Sequence, residues 1–420
     1  MTEQLHKRFS NNQVKSLIES YIRKEIELSY ILSILGVGRS RFFEIFKTYR
    51  QNKGAFSIDY SRESINRKIG AEAEASILAE LNIEKSLIED KSNPIKHYNY
   101  SYIKDRLASD YGHKVSLPTI IDRAKKYGFY DKAKKKKAHD REVLTNYAGE
   151  LLQHDSSKHK WSPYASEYWY LITTLDDYSR KILYGDFLET ETSWAHIEAA
   201  EYTCLKYGIP FSYYVDSHSI FRFVQGRDSF WRKHYKVTDE ADPQFKQVLA
   251  DLGIKIIYAL SPQAKGKIER PYGWLQDRIV RICAREGIKD ISDAREVLAS
   301  ELKRYNSHQV HSTTGEIPDI RFYRAIDDKR SLFREFTVPS PFISTKDIFA
   351  LRDNRVVNAY RKISINKLEL NVSGVPLRER VYLRIAPDKN KGLAEIRFWY
   401  NKKLVGVQKV RNEDLNIPNF

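Results

Sequence analysis

Residues 255–281 read KIIYALSPQAKGKIERPYGWLQDRIVR, and a change of period inside this stretch decides the fold class. KIIYA, at 255–259, is a short β-branched run bounded by turn formers, which reads as a strand. Ser261-Pro262-Gln263 and Gly266 interrupt it. From 267 to 286 the apolar positions Ile268, Tyr272, Leu275, Ile279 and Ile282 recur every three or four residues, which predicts a long helix. A strand that passes through a Pro/Gly loop into a long helix is a building block of α/β folds.

Upstream, the same alternation continues. Strands are expected at 151–155 (LLQHD), 168–175 (YWYLITTL) and 181–188 (KILYGDFL), with Asp176-Asp177-Tyr178-Ser179 as the turn between the last two. Short connections make these three an antiparallel meander. A helix over 192–207 follows and is stopped by Gly208-Ile209-Pro210. A strand at 211–215 runs up to Asp216, and Phe245, Val248, Leu249 and Leu252 mark another helix. The order βββαβαβα predicts an α/β sheet with one antiparallel side, over 142–335.

The flanks differ from this core. At the front, Val14, Leu17, Ile18, Tyr21 and Ile22 mark a helix, and Ile31, Leu32 and Leu35 a shorter one. Gly36-Val37-Gly38 then turns the chain into a helix carrying Phe42, Ile45, Phe46 and Tyr49, with Ser40 as its expected cap. This is a helix-turn-helix layout over 1–55, whose last helix would aim Arg39, Arg41 and Lys47 at DNA. An ordinary three-helix bundle has the same pattern. Residues 56–91 read as an acidic helical connector. A second helical pair lies within 92–141, with Arg123, Lys125 and Lys126 outward, and it leads into a basic linker containing Lys134 and Lys135. At the back, 340–420 alternates with period two and predicts a small β-barrel of four or five strands.

Charge follows the same partition. The chain has 420 residues, 41% hydrophobic and 30% charged, with a formal net charge of +16. Residues 1–141 carry +10, residues 142–339 carry −2 and residues 340–420 carry +8. Two basic arms around a slightly acidic middle suit a polyanion held by the arms and a core that needs its carboxylates. Cys204 and Cys283 are the only cysteines, which excludes a disulfide framework or a Cys-rich zinc module and suits a reducing compartment. No apolar run approaches the ~18 residues of a membrane span. The polar start, MTEQLHKRFSNNQ, does not read as a secretory signal.

Within the core, three acids stand where a metal site would need them. Asp155 lies on the first strand, Asp216 ends the fourth, and Glu269 lies in the first turn of the long helix, one step off its apolar stripe. Three oxygen donors on separate elements can hold two Mg²⁺ ions and leave positions open for water and phosphate. Strand-end aspartates also serve as plain caps and turn formers, the reading given to Asp176 and Asp177.

The stretch LSPQAKGKIERPYGWLQDRIVR (260–281), with HDSS (154–157), TTLDDYSRKIL (173–183) and YYVDSHSIF (213–221), resembles bacterial insertion-sequence DDE transposases with a retroviral-integrase-like core. The likeness is greatest to the ISNCY group and covers 145–325. It implies a multidomain protein: helix-turn-helix modules, an RNase H-like catalytic core and a C-terminal β-barrel. It implies Asp155, Asp216 and Glu269 as catalytic, metal-binding residues for two Mg²⁺ or Mn²⁺ ions. The implied activity is cleavage at the ends of a mobile element and joining of the 3′ ends to target DNA. Partners would be double-stranded DNA, as terminal inverted repeats and target, and at least a second copy of the chain. The place of action would be the bacterial cytoplasm, at the nucleoid.

Two features depart from retroviral integrases. There is no His/Cys zinc bundle at the front, and 52 residues separate Asp216 from Glu269. Part of that interval, FRFVQGRDSFWRKHYKV (221–237), interleaves aromatic and basic residues, Arg222 and Trp231 among them. This pattern suits unstacked bases and phosphates, and equally a flap packed on the core. On the long helix Arg270, Trp274, Arg281 and Arg285 share roughly one face and, with Lys265 and Lys267, would lie along DNA. The basic arms fit a non-cleaving DNA-binding regulator or a domesticated transposase equally well; the three acids favour the enzyme.

Overall fold

The computed structural model describes residues 4–59, 69–131, 144–215, 244–258 and 266–415, with side chains of the last segment from Pro271 onward. Asp216, Lys134, Lys135, Arg222, Trp231 and Lys265, with the basic linker and the aromatic–basic insert, lie outside the described residues. The chain divides into two compact units, Met1–Ala71 and Glu72–Phe420, so the boundary falls inside the stretch read as a connector.

The first unit is helical: α1 (Leu5–Arg8), α2 (Asn11–Ile22), α3 (Leu28–Leu35) and α4 (Arg39–Gln51). Ser10 and Gln13 form a reciprocal capping box that starts α2. Gly36 closes α3 in the left-handed conformation, φ 62°, as the glycine turn predicts. Gly38, not Ser40, is the N-cap of α4, because the turn ends two residues earlier than expected and leaves Ser40 inside the helix. Val14, Ile18, Ile31, Leu35, Phe42, Ile45 and Tyr49 make the core.

The second unit opens with α5 (Ala71–Glu89), α6 (Tyr100–Asp110) and α7 (Leu117–Lys126), the last started by Ser116 with Pro118 in its first turn. Then come β1 (Leu152–His159), β2 (Trp169–Asp176), β3 (Ile182–Leu188), α8 (Ser193–Tyr207), β4 (Ser212–Val215), α9 (Gln244–Asp251), β5 (Lys255–Tyr258) and α10 (Gly266–Glu286). Two more helices, α11 (Ile291–His308) and α12 (Pro318–Asp327), complete this part.

The five strands form one sheet in the order β3-β2-β1-β4-β5. β1, β2 and β3 are antiparallel neighbours, whereas β4 runs parallel to β1 and β5 parallel to β4. The mixed sheet is the expected one, and β1 at its centre is longer than expected. One face packs Leu152, Leu183, Tyr213 and Val215 on Trp194, Ile197 and Cys204 of α8 and Phe245 and Val248 of α9. The other packs Leu171, Leu175, Ile182 and Phe187 on Tyr272, Leu275, Ile279 and Cys283 of α10 and Leu298 and Tyr305 of α11. Each face removes a full layer of apolar side chains from water, at about 25 cal/mol per Å².

The stretch after α12 straps the edge of this layer. Ile209 and Arg334 exchange main-chain hydrogen bonds of 2.7 and 2.9 Å. Gly208, φ 101°, passes so close that a Cβ would lie 2.5 Å from the Arg334 carbonyl oxygen.

Beyond it come α13 (Thr345–Ile348), β6 (Leu351–Val356), β7 (Lys362–Ile365), β8 (Leu368–Asn371), β9 (Arg380–Asp388), β10 (Leu393–Tyr400), β11 (Lys403–Arg411) and α14 (Asn412–Leu415). Among the described residues these strands form an open sheet, β11-β10-β9-β6, and a separate β7-β8 hairpin; the recorded pairings do not close a ring. There are six strands, one more than the sequence predicts, because β6 lacks apolar alternation. The turns Asn366-Lys367 and Asn401-Lys402 hold both residues at positive φ, as tight hairpins require.

Candidate active site

β1 carries Asp155 at its fourth position, on the central strand of the sheet and partly exposed. Alternation along the strand divides its neighbours between the two faces. Gln153 and Ser157 share the side of Asp155, and His154 and Ser156 point the other way.

On the Asp155 side, α10 is pinned to β1. The hydroxyl of buried Tyr272 donates to the main-chain carbonyl of Asp155 at 2.6 Å and accepts from Thr173 Oγ1 at 2.8 Å. Asp155 and Thr173 are direct partners in the β1–β2 ladder, so one phenol reads one rung. Burial pushes this phenol well above its usual range and keeps its proton available for donation. One turn on, Gln276 Nε2 donates to Ser157 Oγ at 3.2 Å. Four helical residues and two strand residues both span about 6 Å, so the two contacts match in register. Glu269 precedes Tyr272 by three residues on the same helix.

On the opposite face a buried polar chain brackets Asp155 from both sides. Thr174 Oγ1 meets His154 Nδ1 at 2.9 Å, and His154 Nε2 meets His196 Nδ1 at 2.8 Å. His196 Nε2 meets Glu191 Oε1 at 3.0 Å, and Ser156 Oγ donates to the same carboxylate oxygen. One proton arrangement satisfies each of these contacts with both imidazoles neutral: Thr174 donates to His154, His154 to His196, and His196 to Glu191. His154 faces away from the Asp155 side and stacks on Phe245 at 5.1 Å.

Asp176 and Asp177 are buried turn formers. Asp176 accepts from the main chain of Gly149 and Ser179 at 2.8 and 2.9 Å and from Ser179 Oγ at 2.5 Å. Burial raises its carboxyl to about 6, against the pull of those donors. Asp177 accepts from Gln153 and Arg180 at 2.6 and 2.7 Å.

The basic residues divide. Arg39, Arg41 and Lys47 are exposed on α4, with Arg41 paired to Glu44 at 2.9 Å. Lys125 and Lys126 are exposed on α7, over the rings of Tyr130 and Tyr127. Arg123 is turned inward to Glu74 at 2.7 Å. Arg281 corrects the reading of α10 as a DNA-facing surface: its side chain is 1% exposed and is bound to Glu84, itself fully buried. Arg285 likewise holds Glu80 at 2.7 Å. The spacing identified a shared helix face, but at Arg281 and Arg285 that face is covered by α5, with Tyr102 of α6 against Arg285. Lys267, Glu269 and Arg270 lie in α10, in the part whose side chains are not described. Among the described residues, no three His, Cys, Asp or Glu side chains gather as a metal site.

Sequence reading missed Tyr272 as a clamp, having placed it in the apolar stripe, and missed His196 and Glu191 altogether. The inward position of Tyr272, three residues after Glu269, was the available signal.

The strand order, with β1, β2 and β3 antiparallel and β1, β4 and β5 parallel, is the α/β sheet with one antiparallel side that the sequence predicts. No family model matches the chain. By sequence it is related to insertion-sequence transposases. Over 203 residues, 48% of the chain, it is 31% identical to a protein of Sinorhizobium fredii named as a transposase, y4bF. Over 171 residues, 41% of the chain, it is 30% identical to the transposase for insertion sequence IS1202 of Streptococcus pneumoniae. The matched stretches span 43% and 35% of those relatives, less than half the length of either. Among solved structures, the catalytic core of BIV integrase matches 43% of the chain and 98% of its own, with 14% identity and a TM-score of 0.31. The HTLV-2 integrase core in complex with magnesium matches 43% and 99%, with 18% identity and a TM-score of 0.29. A simian T-cell lymphotropic virus intasome in complex with the PP2A subunit B56 gamma matches 72% and 94%, with 14% identity and a TM-score of 0.33.

Proposed function

We propose that this chain is a DDE transposase. It binds the ends of a mobile DNA element, cleaves them, and joins the 3′ ends to target DNA by two-metal-ion phosphoryl transfer. The observation that carries the reading is the clamp between Tyr272 and Asp155. It docks the helix that contains Glu269 against the strand that contains Asp155. The strand register adds support. Leu152 lies opposite Tyr213 and Gln153 opposite Tyr214, so β4, which ends one residue before position 216 in the sequence, is the parallel neighbour of the strand that carries Asp155.

Asp155, Asp216 and Glu269 form an all-oxygen donor set, which fits hard cations such as Mg²⁺ or Mn²⁺. When bound, the ions supply activation of the attacking hydroxyl and stabilisation of the leaving oxygen. The chain's own work is to hold DNA and fix these carboxylates. In this reading α4 presents Arg39, Arg41 and Lys47 to the terminal repeats, and Lys125 and Lys126 of α7 add phosphate contacts. Lys134, Lys135, Arg222, Trp231, Lys265, Lys267 and Arg270 are assigned to the same DNA path. Two ends are handled together by at least two copies, in the bacterial cytoplasm. Membership of the ISNCY group belongs to the same proposal and rests on the motif spellings.

The test is incubation of the full chain with DNA carrying the inverted repeats that flank its gene, in Mg²⁺. Nicked ends and strand-joined products are expected. Binding without any cleavage would establish the regulator instead, and cleavage without joining a plain nuclease.

A further inference from the structure

The arginines of α10 that pair inward form an ordered set of contacts. Arg278 donates to Glu301 of α11 at 2.6 Å and to Asp105 of α6 at 2.8 Å, and Arg304 shares Asp105. Arg281 donates to Glu84 of α5 at 2.9 Å, to the carboxylate of Asp277, and to the main chain of His97. Arg285 grips Glu80 of α5 with two nitrogens, at 2.7 and 3.0 Å. Asn99, the N-cap of α6, donates to Asp277, and its main-chain N–H donates to Glu84 at 3.3 Å. The ring of Tyr102 lies against the guanidinium groups of Arg278 and Arg285.

This is an unusual way to dock two helices. An apolar seam tolerates sliding, whereas buried fork-like ion pairs hold in one register only. α7 belongs to the docked block: Arg123 reaches Glu74 of α5, and Tyr100 of α6 donates to the Phe129 carbonyl just beyond α7, at 2.9 Å. At its other end α10 is pinned to Asp155 through Tyr272. The only proline inside the helix, Pro271, precedes every one of these contacts. From Tyr272 to Arg285 the helix therefore runs uninterrupted for roughly 20 Å.

We propose that α10 is a ruler. Its ion pairs with Glu80, Glu84 and Asp105 fix the distance between the basic helix α7 and Asp155, and so choose which phosphodiester is cut relative to the bound sequence. These acids are positioning residues that act through α10. The proposal rests on the DNA-cleaving function above and deepens it.

The test compares the full chain with Glu80→Gln, Glu84→Gln and the double variant on end-labelled repeat DNA, reading cut sites at single-nucleotide resolution. The wild type is expected to cut at one phosphodiester. The variants are expected to bind within about threefold of it and to show at least a tenfold rise in cuts displaced by one or more nucleotides. Asp105→Asn, which leaves both α5 pairs intact, gives a second, milder variant with a smaller rise. A second measurement is independent of catalysis. Cys204 and Cys283 are fully buried, so Lys158→Cys, at the one exposed position of β1, takes an iron–EDTA tether selectively. Its radical cuts map the DNA beside β1 even when the chain itself cuts nothing. A narrow map in the parent that broadens in Glu80→Gln/Glu84→Gln supports the ruler, and loss of metal-dependent cutting with that broadening retained would fault only the transposase reading. An unchanged cut site and an unchanged tether map in the folded variants would overturn the ruler.

Discussion

The hydroxyl of Tyr272 bridges Asp155 and Thr173, donating to the carbonyl of one and accepting from the side chain of the other. These two residues face each other across the β1–β2 ladder. A helix that begins near a proposed catalytic carboxylate is therefore tied to the strand that carries another. The tie is made to the main-chain oxygen of Asp155 and not to its carboxylate.

Tyr272→Phe keeps the packed ring and removes the bridge. A net loss of about 1 kcal/mol is expected, rising to about 3 kcal/mol if the partners stay buried and unsatisfied. Urea unfolding measures this. Metal-dependent nicking should fall at least tenfold while DNA binding holds. Equal loss of both would mean that the bridge is only structural.

Glu84→Ala leaves buried Arg281 matched only by Asp277, a carboxylate on its own helix that is partly exposed to water. Burial already pushes the Glu84 carboxyl up, with Arg281 pulling it back, so the pair balances two desolvated groups. Removing one partner should cost about 3–5 kcal/mol, whereas the double change Glu84→Leu/Arg281→Met should recover most of that loss. Thermal unfolding of the single and double variants checks the pattern. A double variant as unstable as the single one would contradict it.

Asp176 gives the stability a pH dependence of definite sign. Its carboxyl sits at about 6 in the folded chain, against about 3.9 when unfolded. Between about pH 4 and 6 the folded state holds a proton that the unfolded state has released. Its contribution to stability therefore falls as pH rises through that window and is flat above it. The two-unit gap corresponds to roughly 3 kcal/mol. The difference in unfolding free energy between wild type and Asp176→Asn should shrink by about that amount from pH 4 to pH 7. A constant difference would contradict the assignment.

What was legible in the sequence was what local pattern controls. The five-stranded sheet followed from period-two runs with short turns, and α10 from its stripe Tyr272, Leu275 and Ile279, all of which are buried. The placement of Asp155 on the first strand was legible in the same way. What stayed hidden depends on partners far along the chain. AEAEASILAEL reads as an acidic helical connector because the arginines that pair with Glu80 and Glu84 lie some 200 residues away. Arg281 reads as a DNA contact for the same reason: spacing identifies a shared face and not what covers it. β6 reads LRDNRV, without apolar alternation, and is a strand because β9 pairs with it along its whole length.

The proposed function stands on Asp155, Asp216 and Glu269 forming one metal-dependent cutting site. The most direct measurement is nicking of repeat-bearing DNA in Mg²⁺ by Asp155→Asn, Asp216→Asn and Glu269→Gln, with binding measured on the same DNA. Each variant is expected to bind as the wild type does, and none to nick. Full nicking by any one of the three would contradict the proposal.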